Sequence, residues 1–191
     1  MNLVNLDRIL EKEPKYRLKQ AKSAVFNDLI EDWQEAKTLP QELRQKLGEV
    51  EPLQIEAKVF SSSADGPSEP LRTSVSPCPS KALFNLKDDL KVESVLLRHR
   101  DNRNTICVSS QVGCALCCEF CATGQLGFKR NLDYSEIVEQ VLFFARLLKK
   151  SKQKVTNIVF MGMGEPFLNY DNVLMAIRTL NDKDGFNLGA R

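Results

Sequence analysis

Cys114, Cys118 and Cys121 fall in the run Gly113-Cys114-Ala115-Leu116-Cys117-Cys118-Glu119-Phe120-Cys121, a C-x3-C-x2-C triad. Thiolates so spaced can each hold one iron of a cubane iron–sulfur cluster. The fourth iron then lacks a protein ligand, and an open iron is where a substrate or cosubstrate binds. The pattern points to redox or radical chemistry rather than to a structural staple. The same sulfurs also read as two abutting pairs, Cys114 with Cys117 and Cys118 with Cys121. Zinc needs a spacer between its pairs so that four sulfurs can surround one ion tetrahedrally. Abutting pairs strain that closure, and the spacing favours a cluster over zinc.

The elements that must position this loop come in two styles. The first fifty residues read as helices: Val25, Phe26, Leu29, Ile30 and Trp33 recur at helical spacing. Pro40 precedes a second helical stripe of Leu43, Leu47 and Val50. Residues 61–80 are rich in Ser, Pro and Gly and read as a mobile loop or linker. Around them lie β-like runs at Glu56–Phe60, Ala82–Leu86, Val92–Leu97 and Thr105–Val112, expected to form a small antiparallel sheet. Beyond the cysteines the pattern turns to α/β. Asp133 and Glu136 sit at capping-box spacing, with Ser135 as the alternative cap, ahead of the apolar face Ile137, Val138, Val141, Leu142, Phe144, Ala145 and Leu148. Lys149, Lys150, Lys152 and Lys154 suit the negative end of that helix. Thr156–Met161 reads as a strand buried on both faces. It runs into Gly162-Met163-Gly164-Glu165-Pro166 and then a helix carrying Val173, Leu174, Ala176, Ile177 and Leu180. Strands alternating with helices predict a parallel sheet, whose ligands collect at the carboxyl ends of its strands.

Composition sets few limits. A chain of 191 residues with 42% hydrophobic residues can bury one solid core or two small ones. No run approaches the length of a membrane span, and Met1-Asn2-Leu3 opens straight into a charged segment without a targeting signal. The expected setting is the cytoplasm, where cysteines more often bind metal or act in redox chemistry than form disulfides. A net charge of +2 leaves any nucleic-acid partner to be argued from local patches. The candidates are Arg98-His99-Arg100 with Arg103, Lys129-Arg130, and the lysines at 149–154. His99, the single histidine, reads as a phosphate neighbour or a solvated loop residue rather than a metal ligand.

Two stretches carry a family resemblance: Cys107-Val-Ser-Ser-Gln-Val-Gly-Cys114 through Cys121-Ala-Thr-Gly-Gln-Leu-Gly-Phe-Lys-Arg-Asn131-Leu, and Met161-Gly-Met-Gly-Glu-Pro166. Together they resemble the signatures of the RlmN/Cfr family of radical S-adenosylmethionine RNA methyltransferases, the RlmN branch more closely than the Cfr branch. The likeness covers about residues 84–191 and, more faintly, the helical N-terminus. It implies an α/β fold: a partial radical S-adenosylmethionine (β/α) barrel over 101–191, a helical RNA-binding accessory domain over 1–55, and a β-rich connection over 56–100. It implies that Cys114, Cys118 and Cys121 ligate a [4Fe-4S] cluster whose open iron chelates S-adenosylmethionine, yielding a 5′-deoxyadenosyl radical. Phe120 would line the cofactor pocket, with plain core packing as the alternative. Gly164 and Glu165 match the segment that holds the methionine amino group, where a carboxylate pairs with an ammonium and glycine admits close backbone approach.

The resemblance also assigns Cys107, otherwise a spare core cysteine. It would partner a distal, methyl-carrying cysteine and close a disulfide that releases a protein–RNA adduct. Glu93 corresponds to the proton-accepting carboxylate, though its spacer to Cys107 is one residue longer than usual; the alternative is an exposed strand carboxylate. The activity implied is methylation of carbon 2 of adenine in 23S ribosomal RNA and in transfer RNA. The rivals are carbon 8 methylation, as in Cfr-type members, and a non-catalytic metal-binding RNA module. Ribosomal RNA, transfer RNA and an electron donor such as flavodoxin or ferredoxin are the implied partners, with a monomer and no membrane. Three departures stand out: Cys117 adds a thiol inside the cluster loop, residues 61–80 look inserted, and the sequence stops at Arg191 about two β/α units into the expected barrel. Neither Cys78 nor any other residue supplies the distal cysteine, so an N-terminal fragment of low solubility and little turnover is expected.

Overall fold

The computed structural model describes residues 3–11, 13–61 and 80–189. Apolar spacing near the N-terminus builds a helical module of α1 (Leu3–Leu10), α2 (Lys15–Phe26) and α3 (Gln41–Val50), with a 3-10 turn at Trp33–Glu35. Helical spacing through Trp33 marked burial correctly but not conformation. Helix α2 ends at Phe26, and Leu29 takes a left-handed φ of 51°. Asp32 then restarts the chain through a capping box with Glu35. Ile30 and Trp33 are still buried, and the indole Nε1–H donates to the Glu51 carbonyl at 2.8 Å. Leu43 and Leu47 of α3 are buried, whereas Val50, expected on the same stripe, is exposed at the helix end.

One five-stranded sheet follows, built from β1 (Ala57–Ser61), β2 (Ser80–Asn85), β3 (Lys91–Arg98), β4 (Asn104–Cys107) and β7 (Asn157–Val159). Its order is β1-β2-β3-β4-β7; the first three pairings are antiparallel and β4 pairs with β7 in parallel. The antiparallel strands therefore do not form a separate small sheet but continue into the first parallel pair. Ser61 and Ser80, at the ends of the expected linker, are paired strand residues; residues 62–79, with Cys78, lie outside the described residues. Thr105–Val112 does not run as one strand. It breaks after Cys107, and Gln111–Val112 (β5) pairs instead with Arg130–Asn131 (β6). Nor is the 156–161 run buried on both faces: β7 is three residues long and lies at the sheet edge, with Ile158 and Val159 half-buried and Met161 exposed.

Asp133 caps α5 (Tyr134–Lys150), and Glu136 completes the capping box as its spacing predicts. The apolar side of α5 covers one face of the sheet, where Phe84 meets Phe143 and Phe144 edge-on, with centroids 5.2 and 6.3 Å apart. Helix α6 (Tyr170–Asn181) packs beside α5. Register then sorts the strand residues. Ala82, Phe84, Val92, Ser94, Leu96 and Ile106 alternate onto the covered face and are buried. Leu83, Glu93, Val95, Cys107 and Val159 alternate onto the opposite face and are only half-buried.

Candidate functional site

β4 and β7 run in parallel, so the segments leaving their carboxyl ends emerge on one edge of the sheet. The first is the cysteine loop, closed at its neck by the β5–β6 pair and by Lys129 N–H donating to the Val112 carbonyl at 2.9 Å. Gly113 has φ +74°, and a Cβ there would fall 1.7 Å from the Gly127 carbonyl oxygen. Only glycine closes the neck that tightly. Arg130 anchors the neck from outside: it grips Glu136 with two bonds of 2.8 and 2.9 Å and Asp88 with one of 2.6 Å. Glu136 and Asp88 hold its guanidinium well above its ordinary pKa, and Arg130 in turn pulls the Asp88 carboxyl down.

Within the loop, Cys114 is buried and Cys118 and Cys121 are half-buried, while Cys117 is exposed with a left-handed φ of 48°. Cys121 stands at the head of the short helix α4 (Ala122–Gln125). The backbone N–H groups of Gly124 and Thr123 hydrogen-bond its sulfur and lower its pKa, which favours the thiolate. Among the described residues, no three His, Cys, Asp or Glu side chains converge as the ligands of a single metal ion do. All three candidate donors are soft thiolates, the ligand type that iron–sulfur clusters take. Phe120, next in sequence to Cys121, is 94% exposed and outside any core packing.

The second segment is 161–165, tied to the strand before the cysteines. Ser110 and Gln111 both donate backbone N–H to the Met163 carbonyl, at 2.9 and 3.1 Å. Gly164 has φ +97°, and a Cβ there would lie 2.5 Å from the Gln111 Cβ. Glu165 is half-buried and caps the 3-10 turn Pro166–Asn169, accepting from Phe167 N–H at 3.0 Å.

Glu93 and Cys107 share the open face of the sheet. Cys107 is directly opposite Val95, one alternation along β3 from Glu93. Burial pushes the Cys107 thiol up, and Met161 N–H donates to its sulfur. Glu93 Oε1 is bridged by Lys81 Nζ at 2.9 Å, both side chains being close to half exposed.

Four polar residues that sequence reasoning passed over hold this geometry: Ser109, Gln111, Gln140 and Asn169 are each at most 3% exposed. Gln140 brackets Ser109, accepting from its N–H at 2.8 Å and donating to its carbonyl at 3.0 Å. Ser109 Oγ donates to the Glu93 carbonyl and accepts from Met163 N–H. Asn169 donates to the carbonyls of Ser110 and Leu132. The available signal was the polar run Ser109-Ser110-Gln111, which interrupts the apolar stretch between Ile106 and Val112.

Among the basic runs, Arg98–Arg103 forms the turn at the opposite end of β4 from the cysteines. Arg103 pairs with Asp101, and His99 is half-buried and bonded to Thr105 rather than solvated. Lys149 donates to the Asp28 carbonyl and Lys150 pairs with Glu31, which docks the helical module onto α5. Of the candidate phosphate contacts, Lys129 is the exposed cation in the cysteine loop itself.

Residues 108–190 match the model of the radical SAM superfamily. The chain is 41% identical over 94% of its length to a Dictyoglomus turgidum protein named "Probable dual-specificity RNA methyltransferase RlmN", covering 48% of that protein. It is 49% identical over 59% of its length to the ribosomal RNA large subunit methyltransferase N of Nitrosopumilus maritimus, covering 34% of it. A solved radical SAM methyltransferase from Sphaerobacter thermophilus superposes over the whole chain with a TM-score of 0.85 at 37% identity, the chain covering 53% of it. The chain thus spans about half the length of the relatives it matches. In its α/β sheet and its cysteine loop the chain is similar to the radical SAM superfamily over residues 108–190 and, over most of its length, to relatives named as RNA methyltransferases of the RlmN type.

Proposed function

We propose that this chain forms the cluster-bearing part of a methyltransferase acting on carbon 2 of adenine in 23S ribosomal RNA and in transfer RNA. The observation that carries the reading is the convergence of two motifs on one sheet edge, above an open face bearing both Glu93 and Cys107. When bound, a [4Fe-4S] cluster and S-adenosylmethionine supply one-electron chemistry and the methyl group.

The chain's own residues do the rest. Cys114, Cys118 and Cys121 hold the cluster, and the neck at Gly113 fixes how far the loop stands from the sheet. Glu165 pairs with the methionine ammonium, and Gly164 lets the backbone approach it. Phe120, exposed beside the last ligand, lines the cofactor pocket. Burial holds Cys107 as a neutral thiol, the Met161 N–H offsetting that only in part, and leaves it ready to pair with a second cysteine. Lys81 holds one oxygen of Glu93, and the other oxygen takes the proton from the adenine ring. Residues 1–55 act as an RNA-binding accessory module, 56–100 as the connection and 101–191 as the radical SAM core. Lys129 is the cation best placed for RNA phosphate near the chemistry.

Anaerobic iron reconstitution tests this reading. Cluster absorbance that depends on each of Cys114, Cys118 and Cys121, with an S-adenosylmethionine-dependent change in its electron paramagnetic resonance, supports it. Binding of one colourless zinc ion with no such spectrum overturns it in favour of a metal-binding RNA module. In the whole protein, the position of the methyl group on the adenine product separates carbon 2 from carbon 8 chemistry.

A further inference from the structure

Glu165 and Leu168 bound the short turn that follows the Gly-rich segment, and each is bonded to the neck of the cysteine loop through a side-chain amide. Glu165 N–H donates to Gln111 Oε1 at 2.9 Å. Gln111 Nε2 donates to Asn131 Oδ1 at 2.8 Å, and Asn131 Nδ2 donates to the Leu168 carbonyl at 3.3 Å. The polarity of this relay is fixed from both ends. A backbone N–H can only donate, so the glutamine oxygen must face Glu165; a carbonyl can only accept, so the asparagine nitrogen must face Leu168. Gln111 and Asn131 are also directly paired across β5 and β6, the two strands that close the cysteine loop. Gln111 is 1% exposed, and a buried amide stripped of its partners is costly.

We propose that Gln111 and Asn131 form a clamp that sets Glu165 in position relative to the cysteine loop, and so registers the methionine amino group of S-adenosylmethionine against the cluster. The two are positioning residues, since they act through Glu165 and the loop neck. The inference rests on the functional reading above and deepens it. Gln111 is suited to the task because its amide both accepts and donates. Leucine would do neither, and glutamate would keep the bond to Glu165 N–H while losing the donor to Asn131.

The test uses the full chain with Gln111→Glu, Gln111→Leu and Asn131→Ala, and the double variant Gln111→Leu/Asn131→Ala. Hydrogen exchange at the Glu165 amide reads the clamp directly. Gln111→Leu should speed that exchange about tenfold or more, and Gln111→Glu should leave it near the parent value. Iron content after anaerobic reconstitution should hold in all four, while the S-adenosylmethionine concentration that half-saturates the paramagnetic change rises about tenfold in Gln111→Leu. The double variant should shift no further than its worse single, because both substitutions break one relay. Additive shifts, or an unchanged half-saturation in folded Gln111→Glu and Asn131→Ala, overturn the clamp. If Gln111→Leu does not fold, Gln111→Glu and Asn131→Ala still decide the question, since both retain the volume or the backbone that packs the neck. A parent protein with a cluster but no response to S-adenosylmethionine instead sinks the functional reading, and Glu165 amide exchange would still report whether the clamp exists.

Discussion

The two faces of the central sheet have little in common although they alternate along the same strands. On the covered face Phe84, Val92, Leu96 and Ile106 pack under α5 and are at most 3% exposed. On the other face Glu93, Val95 and Cys107 stand half-open, and an ion pair takes the place of packing. One face holds the molecule together and the other is free to carry chemistry. Period-two alternation makes the division possible, because a strand residue can change without disturbing its neighbour on the far side.

Substitutions at matched positions would break or sharpen this contrast. The largest effect is expected from Phe84→Ala, which removes a ring packed against Phe143 and Phe144 and should cost about 3–5 kcal/mol in urea unfolding. If the loss were under about 1 kcal/mol, the covered face would not be the stabilising one. Gly164→Ala comes next. It forces a Cβ into Gln111 at a left-handed φ and should cost about 2 kcal/mol, with the added signature of weakened S-adenosylmethionine binding. The two perturbed thiols predict a difference in reactivity with pH. Burial raises the Cys107 pKa, so its thiolate fraction, and with it alkylation by iodoacetamide, should grow only at higher pH than for Cys121, whose pKa backbone N–H groups lower. Mass-spectrometric mapping of the iron-free protein across pH would show Cys121 labelled first; the reverse order would refute the burial of Cys107. The smallest effect belongs to Lys81→Met. The Lys81–Glu93 pair is solvent-exposed, so unfolding should change by no more than about 0.5 kcal/mol.

Local rules were legible where a residue answers to its sequence neighbours. Asp133 and Glu136 cap α5 as their spacing requires, and Pro40 heads α3. The cysteine triad and the Gly-Met-Gly-Glu segment both stand out by spacing, and they lie in the segments that follow β4 and β7. Errors arose where distant partners decide. Leu29 falls on the helical stripe, yet the chain turns there to bring Ile30 and Trp33 into the module's core. Thr105–Val112 looks like one strand until Met163 claims the N–H groups of Ser110 and Gln111.

The family resemblance singled out Cys107, Glu93 and the carboxylate beside the glycines; sequence chemistry alone determined three thiols at fixed spacing and the alternation along the strands. These follow from chain chemistry and short-range geometry, both of which are written into neighbouring residues. Tertiary structure decided that Glu93 and Cys107 face the same way, that the two motifs share one sheet edge, and that Gln111 and Asn131 join them. Those relations depend on strand register and on hydrogen bonds between residues 20–70 positions apart, which no local pattern encodes.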